Sequence, residues 1–353
     1  WSNPFLWLKN IIDGALLVMH PGEYPKMLVL EMGVDRPGDM DRLTSWIKPD
    51  VVVLTRLPDV PVHVEYFDSP EAVAHEKQKL VNALKPDGVL VYNQDDEKVV
   101  KVAGETFQQS IGYSRYSLSP FTASADKIIY DNGRACGFEF LLTHLKSAVL
   151  MRVNGSLGVQ HTYNYAAASA VASIFGIDIE SVAESLRSYV PPAGRMRIIS
   201  GIKDTLIIDD TYNSSPTASE RSLLTLGELK GVKRRIAVMG DMMELGQFSM
   251  REHERIGHLI PKSADILVTI GIRSKGFAKG ALEEGMSESN IFEYDDAETA
   301  GRELQTFIKA GDVLLVKGSQ SIRAERFVEA IMAEPEMAGE LLVRQDEVWK
   351  GIV

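Results

Sequence analysis

Short unbroken apolar runs alternate with stretches of helical spacing along most of this chain. In the first half the runs are Met27-Leu28-Val29-Leu30, Val51-Val52-Val53-Leu54 and Val89-Leu90-Val91-Tyr92. Between the last two, residues 69–84 carry Ala72, Val73, Leu80, Val81 and Leu84 at helical intervals. A strand apolar on both faces belongs in a parallel sheet covered by helices, and the strand–helix–strand order supplies the parallel connection. From about 110 to 155 the texture changes. Short β-prone pieces at 127–130, 137–142 and 148–153 alternate with turn residues, which predicts antiparallel strands. Residues 163–189 read as two helices broken at Gly176, and Pro191-Pro192-Ala193-Gly194 as a linker.

Beyond the linker the pattern resumes. Leu206-Ile207-Ile208, Ile236-Ala237-Val238-Met239, Ile266-Leu267-Val268-Thr269-Ile270 and Val313-Leu314-Leu315-Val316 are strand cores separated by helical segments. The expected fold is therefore α/β, with a mostly parallel first sheet and a second α/β unit. The expected divisions are 1–190, a linker at 191–196, 197–333, and an acidic tail at 334–353 of uncertain structure.

Composition narrows the function classes. The 353 residues are 45% hydrophobic and 25% charged, with a formal net charge of −11. Such a chain is globular, and its charge argues against general nucleic-acid or anionic-membrane binding, though a local phosphate pocket is compatible with it. The single cysteine, Cys136, allows no internal disulfide, which fits a reducing cytoplasm. No run of 18 apolar residues and no signal peptide stands out. The chain starts at Trp1 in mid-pattern, so a truncated protein is expected.

In open α/β sheets ligands bind at the carboxyl ends of strands, so the residues after each apolar run are the candidates. Glu31 follows Leu30 and could ligate Mg²⁺, which prefers hard oxygens. His63 lies in the loop after Thr55, and Ser69-Pro70 starts a helix that carries Lys77 and Lys79. A loop histidine and a solvated lysine face are the plainer readings of these. Asn93 follows Tyr92, and its amide could meet a purine edge or simply close a turn. In the second unit, Asp209-Asp210 ends the first strand, "GDMMELG" (240–246) follows the next, and Lys317-Gly318-Ser319 follows the last. Three polar turns on one sheet edge argue for a ligand more strongly than any one of them.

Several chemistries lack support. No G-x-G-x-x-G follows a strand, no G-x-S-x-G elbow is present, and His253 and His258 in "HERIGH" miss the H-E-x-x-H spacing of a zinc protease.

Taken in order, "LEMGVDRPGDM" (30–40), "HVEYFDSPEAVAHEKQKL" (63–80), "VLVYNQDD" (89–96), "PPAGRMR" (191–197), "IIDDTYNSSP" (207–216), "VMGDMMELG" (238–246) and "VKGSQS" (316–321) resemble the Mur ligase family. The likeness is greatest to the member that adds D-alanyl-D-alanine to UDP-N-acetylmuramoyl-tripeptide, and it reaches to about residue 333. The resemblance implies a P-loop-type central domain followed by a Rossmann-like C-terminal domain, an ATP-dependent amide ligation through an acyl phosphate, and Mg²⁺. It assigns Glu31 and His63 to the metal, and Lys77 too once carbamylated. Asn93, Arg195, Asp210, Tyr212 and Asn213 fall at nucleotide-facing positions. Asp241, Glu244, Lys317 and Ser319 fall near the substrates, with Lys77, His63 and Lys317 in catalysis. It further implies a cytoplasmic monomer of cell-wall synthesis with no nucleic-acid partner and no membrane insertion.

The chain departs from the family pattern in places. No G-x-x-x-x-G-K-[ST] loop occurs in it, so impaired ATP turnover is expected. Thr55-Arg56 stands for Thr-Asn, and in "GVQHTYN" Gln160 occupies the usual histidine position, with His161 next. A non-catalytic Mur-ligase-like interaction or regulatory protein is the alternative, and a sibling ligase such as a folylpolyglutamate synthase is a third reading.

Overall fold

A computed structural model describes residues 4–20, 22 and 25–351. They fall into two compact units, up to Gly33 and from Val34 onward. The first unit holds one helix, α1 (Pro4–Met19), none of whose residues is buried. The run 27–30, expected as a strand, is not one: all four side chains are exposed, Val29 to 94%. A strand forms only where a neighbour takes up its backbone hydrogen bonds, and no other strand is present among the described residues of this unit.

The second unit contains two six-stranded sheets. The first runs β1 (Val51–Leu54), β2 (Val89–Asn93), β3 (Gln109–Ser114), β4 (Phe121–Asp131), β5 (Arg134–His144) and β6 (Ser147–Asn154), in that spatial order. β1 to β4 pair in parallel, and β4–β5–β6 are antiparallel hairpins. Helices α2 (Asp39–Thr44), α3 (Pro70–Asn82), α4 (Glu97–Gly104), α5 (Thr162–Ile174) and α6 (Ile179–Leu186) accompany it. The start of α3 is written locally: Ser69 Oγ accepts the Ala72 N–H, and Pro70 takes the first helical position.

The second sheet is formed by β7 (Arg197–Gly201), β8 (Thr205–Asp210), β9 (Arg234–Gly240), β10 (Ile266–Ile270), β11 (Ile291–Tyr294) and β12 (Asp312–Lys317), in the order β11-β10-β9-β12-β8-β7. All its pairs are parallel except β7 with β8. β8, β10 and β12 are buried along their whole length. That is why their sequences are unbroken apolar runs. Helices α7 (Pro216–Glu228) and α8 (Ser249–Gly257) follow β8 and β9. The polar residues at the carboxyl ends of β8, β9 and β12 thus come to one edge, and Gly194 of the 191–196 segment meets the end of β8 there. No helix among the described residues is long and apolar enough to cross a membrane.

Candidate functional site

The turn after β8 is organised by two adjacent acids. Consecutive strand residues point to opposite faces, so Asp209 and Asp210 serve different partners. Asp210 Oδ2 accepts from Lys317 Nζ at 2.6 Å and from Ser222 Oγ on α7 at 2.7 Å. Lys317 is 2% exposed, and its Nζ also donates to the Asn213 carbonyl at 3.0 Å. The lysine therefore fixes the turn to the end of β12. Ser215 Oγ and Pro216 then start α7, as Ser69 and Pro70 start α3.

Asp209 faces the linker. Its carboxylate accepts from Gly194 N–H at 2.8 Å and from Thr211 Oγ1 at 2.6 Å. Tyr212 N–H returns to the Gly194 carbonyl at 3.1 Å. Gly194 has φ +68°, and a Cβ there would lie 2.8 Å from the Tyr212 nitrogen, so only glycine fits. Complete burial pushes the Asp209 carboxyl up to about 6, and the hydrogen bonds from Thr211 and Gly194 offset this in part. The folded state holds this proton more tightly than the unfolded chain. The stability this group contributes should therefore decline as pH rises from about 4 to about 6, by about 3 kcal/mol in all. Asp209→Asn should remove that part of the slope. Urea midpoints for both proteins across this range check it, and identical pH dependence would show that another group titrates.

Across the linker, the segment before α5 faces the same turn. His161 Nε2 is buried without a hydrogen-bond partner. Burial holds the imidazole below its ordinary value, with Asp210 opposing that shift and Arg195 and Lys317 adding to it. Asn164 Nδ2 lies 3.3 Å from His161 Nδ1, and Gln160 Oε1 accepts from Thr225 Oγ1 on α7 at 3.3 Å. Arg195 is exposed, its guanidinium 4.0 Å from the centre of the Tyr212 ring. This junction combines a cation, an orphaned ring nitrogen and an exposed phenol. It fits a polar, anionic ligand such as a nucleotide.

A second contact joins the two sheets' loops. His63 adopts φ +68°, its Nδ1 lies against the Glu244 carboxylate, and its Nε2 is 3.3 Å from Asp35 Oδ1. Glu65 N–H donates to the Glu244 carbonyl at 3.4 Å. Glu244 itself has φ +61°, and a Cβ on Gly246, two residues on, would meet Glu65 at 2.8 Å. The 240–246 turn is pinned from behind. His253 Nε2 accepts the Met242 N–H at 2.9 Å, and its Nδ1 must carry the proton because it faces the Ser249 carbonyl at 2.7 Å. The "HERIGH" pair thus splits: buried His253 holds the turn, while His258 contacts Glu283 and Glu284.

The other anticipated residues are placed as follows. Asp241 Oδ1 accepts the Ser274 N–H at 2.7 Å, and Ser319 Oγ accepts the Met243 N–H at 2.9 Å, so both are engaged in shaping turns. Asn93 ends β2, buried, with its Oδ1 accepting the Asp95 N–H at 3.0 Å. Lys77 is half-buried on α3 and has no ion pair among the described residues, and burial lowers its pKa. Its neighbour Lys79 is paired with Asp41 and Glu76. Glu31 is exposed in the first unit.

No group of three or more His, Cys, Asp or Glu is gathered for a metal among the described residues. Mg²⁺ usually takes one or two carboxylates from protein and the rest of its shell from phosphate and water. Of the residues assigned to the metal, His63 lies beside two carboxylates, those of Asp35 and Glu244. Sequence reading missed the separate work of Asp209 and the buried His253, because neither burial nor a partner that only the folded turn brings close leaves a local signal.

Two family models match the chain: "Mur ligase middle domain" at residues 10–172 and "Mur ligase, glutamate ligase domain" at 194–320. A UDP-N-acetylmuramoyl-tripeptide–D-alanyl-D-alanine ligase of Bacillus subtilis is 27% identical over 331 residues, 93% of this chain and 69% of that protein. The enzyme of the same name from Mycobacterium leprae is 27% identical over 329 residues, with 87% of this chain and 63% of its own length covered. The chain thus spans about two thirds of these relatives. The crystal structure of MurF ligase from Thermotoga maritima in complex with ADP superposes with a TM-score of 0.75 at 26% identity, over 91% of this chain and 70% of that one. MurF from Acinetobacter baumannii, at 22% identity and a TM-score of 0.72, shares the fold over 85% of this chain and 63% of its own.

Proposed function

The chain belongs to the Mur ligase family, and from that premise we propose that it carries the ATP-dependent amide ligation that adds D-alanyl-D-alanine to UDP-N-acetylmuramoyl-tripeptide. The observation that carries this reading is the Asp-Asp-x-Tyr-Asn turn, held by buried Lys317 beside the linker and facing His161 and Arg195. The 27% identical relatives named for this reaction cover most of the chain, which supports it.

In this reading ATP supplies the phosphoryl group that activates the tripeptide carboxylate as an acyl phosphate, and Mg²⁺ offsets phosphate charge. The chain's own residues bind and orient. Arg195, Tyr212, Asn213 and Asn93 hold the nucleotide, with Asp210 keeping the turn in place. His63 and carbamylated Lys77 serve the metal site. Asp241, Glu244, Lys317 and Ser319 form the wall where the amine of the dipeptide arrives. Little covalent chemistry falls to the protein. Alignment and charge neutralisation account for the rate, and a closed junction keeps water from the acyl phosphate. A cytoplasmic monomer fits this role.

Phosphate release tests it. It is measured with ATP, Mg²⁺, tripeptide precursor and D-alanyl-D-alanine, for this chain and for a longer form that carries a G-x-x-x-x-G-K-[ST] loop. Release that requires both acceptor and dipeptide is expected from the longer form. Release independent of either overturns the ligase reading, and none at all overturns it in favour of a non-catalytic relative.

A further inference from the structure

Residues 334–353 lie beyond the 194–320 stretch matched by the C-terminal family model. Among the described residues of this stretch, Ala338 and Leu342 are nonetheless built into the second sheet's core, each 5% exposed. Arg197 Nη1 donates to the Glu340 carbonyl at 3.1 Å, which anchors this segment to β7. From there Arg344, at φ +59°, reaches back to the turn after β8. Its Nη1 donates to the Thr211 carbonyl at 3.1 Å and to Glu325 Oε2 at 2.9 Å, and its Nη2 donates to the Tyr212 carbonyl. The side chains of Arg344 and Glu325 are 5% and 0% exposed. Arg323 Nε donates to the other Glu325 oxygen at 2.6 Å and Arg323 Nη1 to the Trp349 carbonyl at 2.8 Å, so the carboxylate is fixed on both sides. Val343 completes the contact: a Cβ on Gly194 would lie 3.0 Å from its Cγ1, which sets the tail against the linker. The Tyr212 ring then has Arg195 at 4.0 Å and Arg344 at 5.8 Å from its centre.

A flat guanidinium spreads its donors over separate nitrogens in a fixed fork and so reaches two carbonyls and a carboxylate at once, whereas the three donors of an ammonium all sit on one nitrogen. We propose that Arg344 is a positioning residue for the nucleotide-facing turn. By tying the tail to the carbonyls of Thr211 and Tyr212, it sets the pose in which Tyr212 and Asn213 meet their ligand. The clamp stands on the geometry alone, and its consequence for the nucleotide rests on the proposed ligase reading.

Arg344→Lys is the discriminating variant, because it keeps a cation beside Glu325 and loses the fork. Hydrogen–deuterium exchange of the 210–214 amides is expected to quicken about tenfold, with β9 and β10 unchanged. The affinity for a fluorescent ADP analogue is expected to weaken about fivefold or more, with the binding stoichiometry unaltered. A role satisfied by charge alone predicts wild-type behaviour from Arg344→Lys, and unchanged exchange overturns the clamp. Faster exchange with unchanged ADP affinity overturns the positioning of the nucleotide but leaves the ligase reading to its own phosphate-release test. If the wild-type chain binds no ADP analogue, the nucleotide consequence is lost and the exchange result alone decides the clamp. Truncation after Leu342 keeps the buried anchor and should reproduce the exchange effect.

Discussion

Replacing Lys317 by methionine is expected to cost about 3–5 kcal/mol of folding stability, because it strands a carboxylate inside the protein. Lys317 is 2% and Asp210 7% exposed, and they are joined at 2.6 Å. Methionine keeps the stem's volume, so the loss is electrostatic rather than steric. Ser222 Oγ would still donate to Asp210, but one neutral hydroxyl does not neutralise a buried charge. The Asn213 carbonyl would lose its donor as well. Urea denaturation of Lys317→Met measures the loss. The double variant Asp210→Asn with Lys317→Met should recover a large part of it, since no charge is then left behind. A cost under about 1 kcal/mol would place the pair among ordinary surface salt bridges and undo the account of the turn.

The second large effect is on turnover. In a form of the protein that releases phosphate, Lys77→Met should lower the rate by about 10²–10³ while leaving the urea midpoint nearly unchanged. The two lysines of α3 differ in their surroundings: Lys79 is committed to Asp41 and Glu76, whereas burial alone acts on Lys77 and lowers its pKa. A neutral amine is the form that attacks carbon dioxide. The ammonium first gives one proton to solvent; the nitrogen lone pair then forms the N–C bond as a C=O π pair moves onto oxygen, a second proton leaves the nitrogen, and a carbamate able to ligate Mg²⁺ stands where the cation was. With ¹³C-labelled bicarbonate the wild type should show a carbamate resonance that Lys77→Met lacks. Full turnover in the variant removes Lys77 from the metal site. Lost turnover in the variant without any resonance in the wild type would assign the lysine a role as a cation instead.

Much of the fold was legible because its signals are local. Doubly buried strands are apolar throughout, as in 206–208, 236–239, 266–270 and 313–316, and each became a strand of the second sheet. Ser69-Pro70 and Ser215-Pro216 mark helix starts by capping chemistry that needs no distant partner. β3, β7 and β11 escaped notice because their apolar runs are short or interrupted, and their neighbours in the sheet complete them. The run 27–30 failed the other way: it has the pattern of a strand without a strand to pair with.

The sequence by itself determined the alternation of strands and helices and the motifs that identify the turn after β8. Those depend on periodicity and on turn chemistry, which act within a few residues. Only the tertiary structure decided what the polar residues do. Two adjacent acids divide between linker and lysine because successive strand side chains face opposite ways. His253 holds a turn eleven residues before it, and Arg344 reaches a turn 133 residues away. Buried donors and acceptors must find partners wherever the packing brings them, and distance along the chain places no limit on that search.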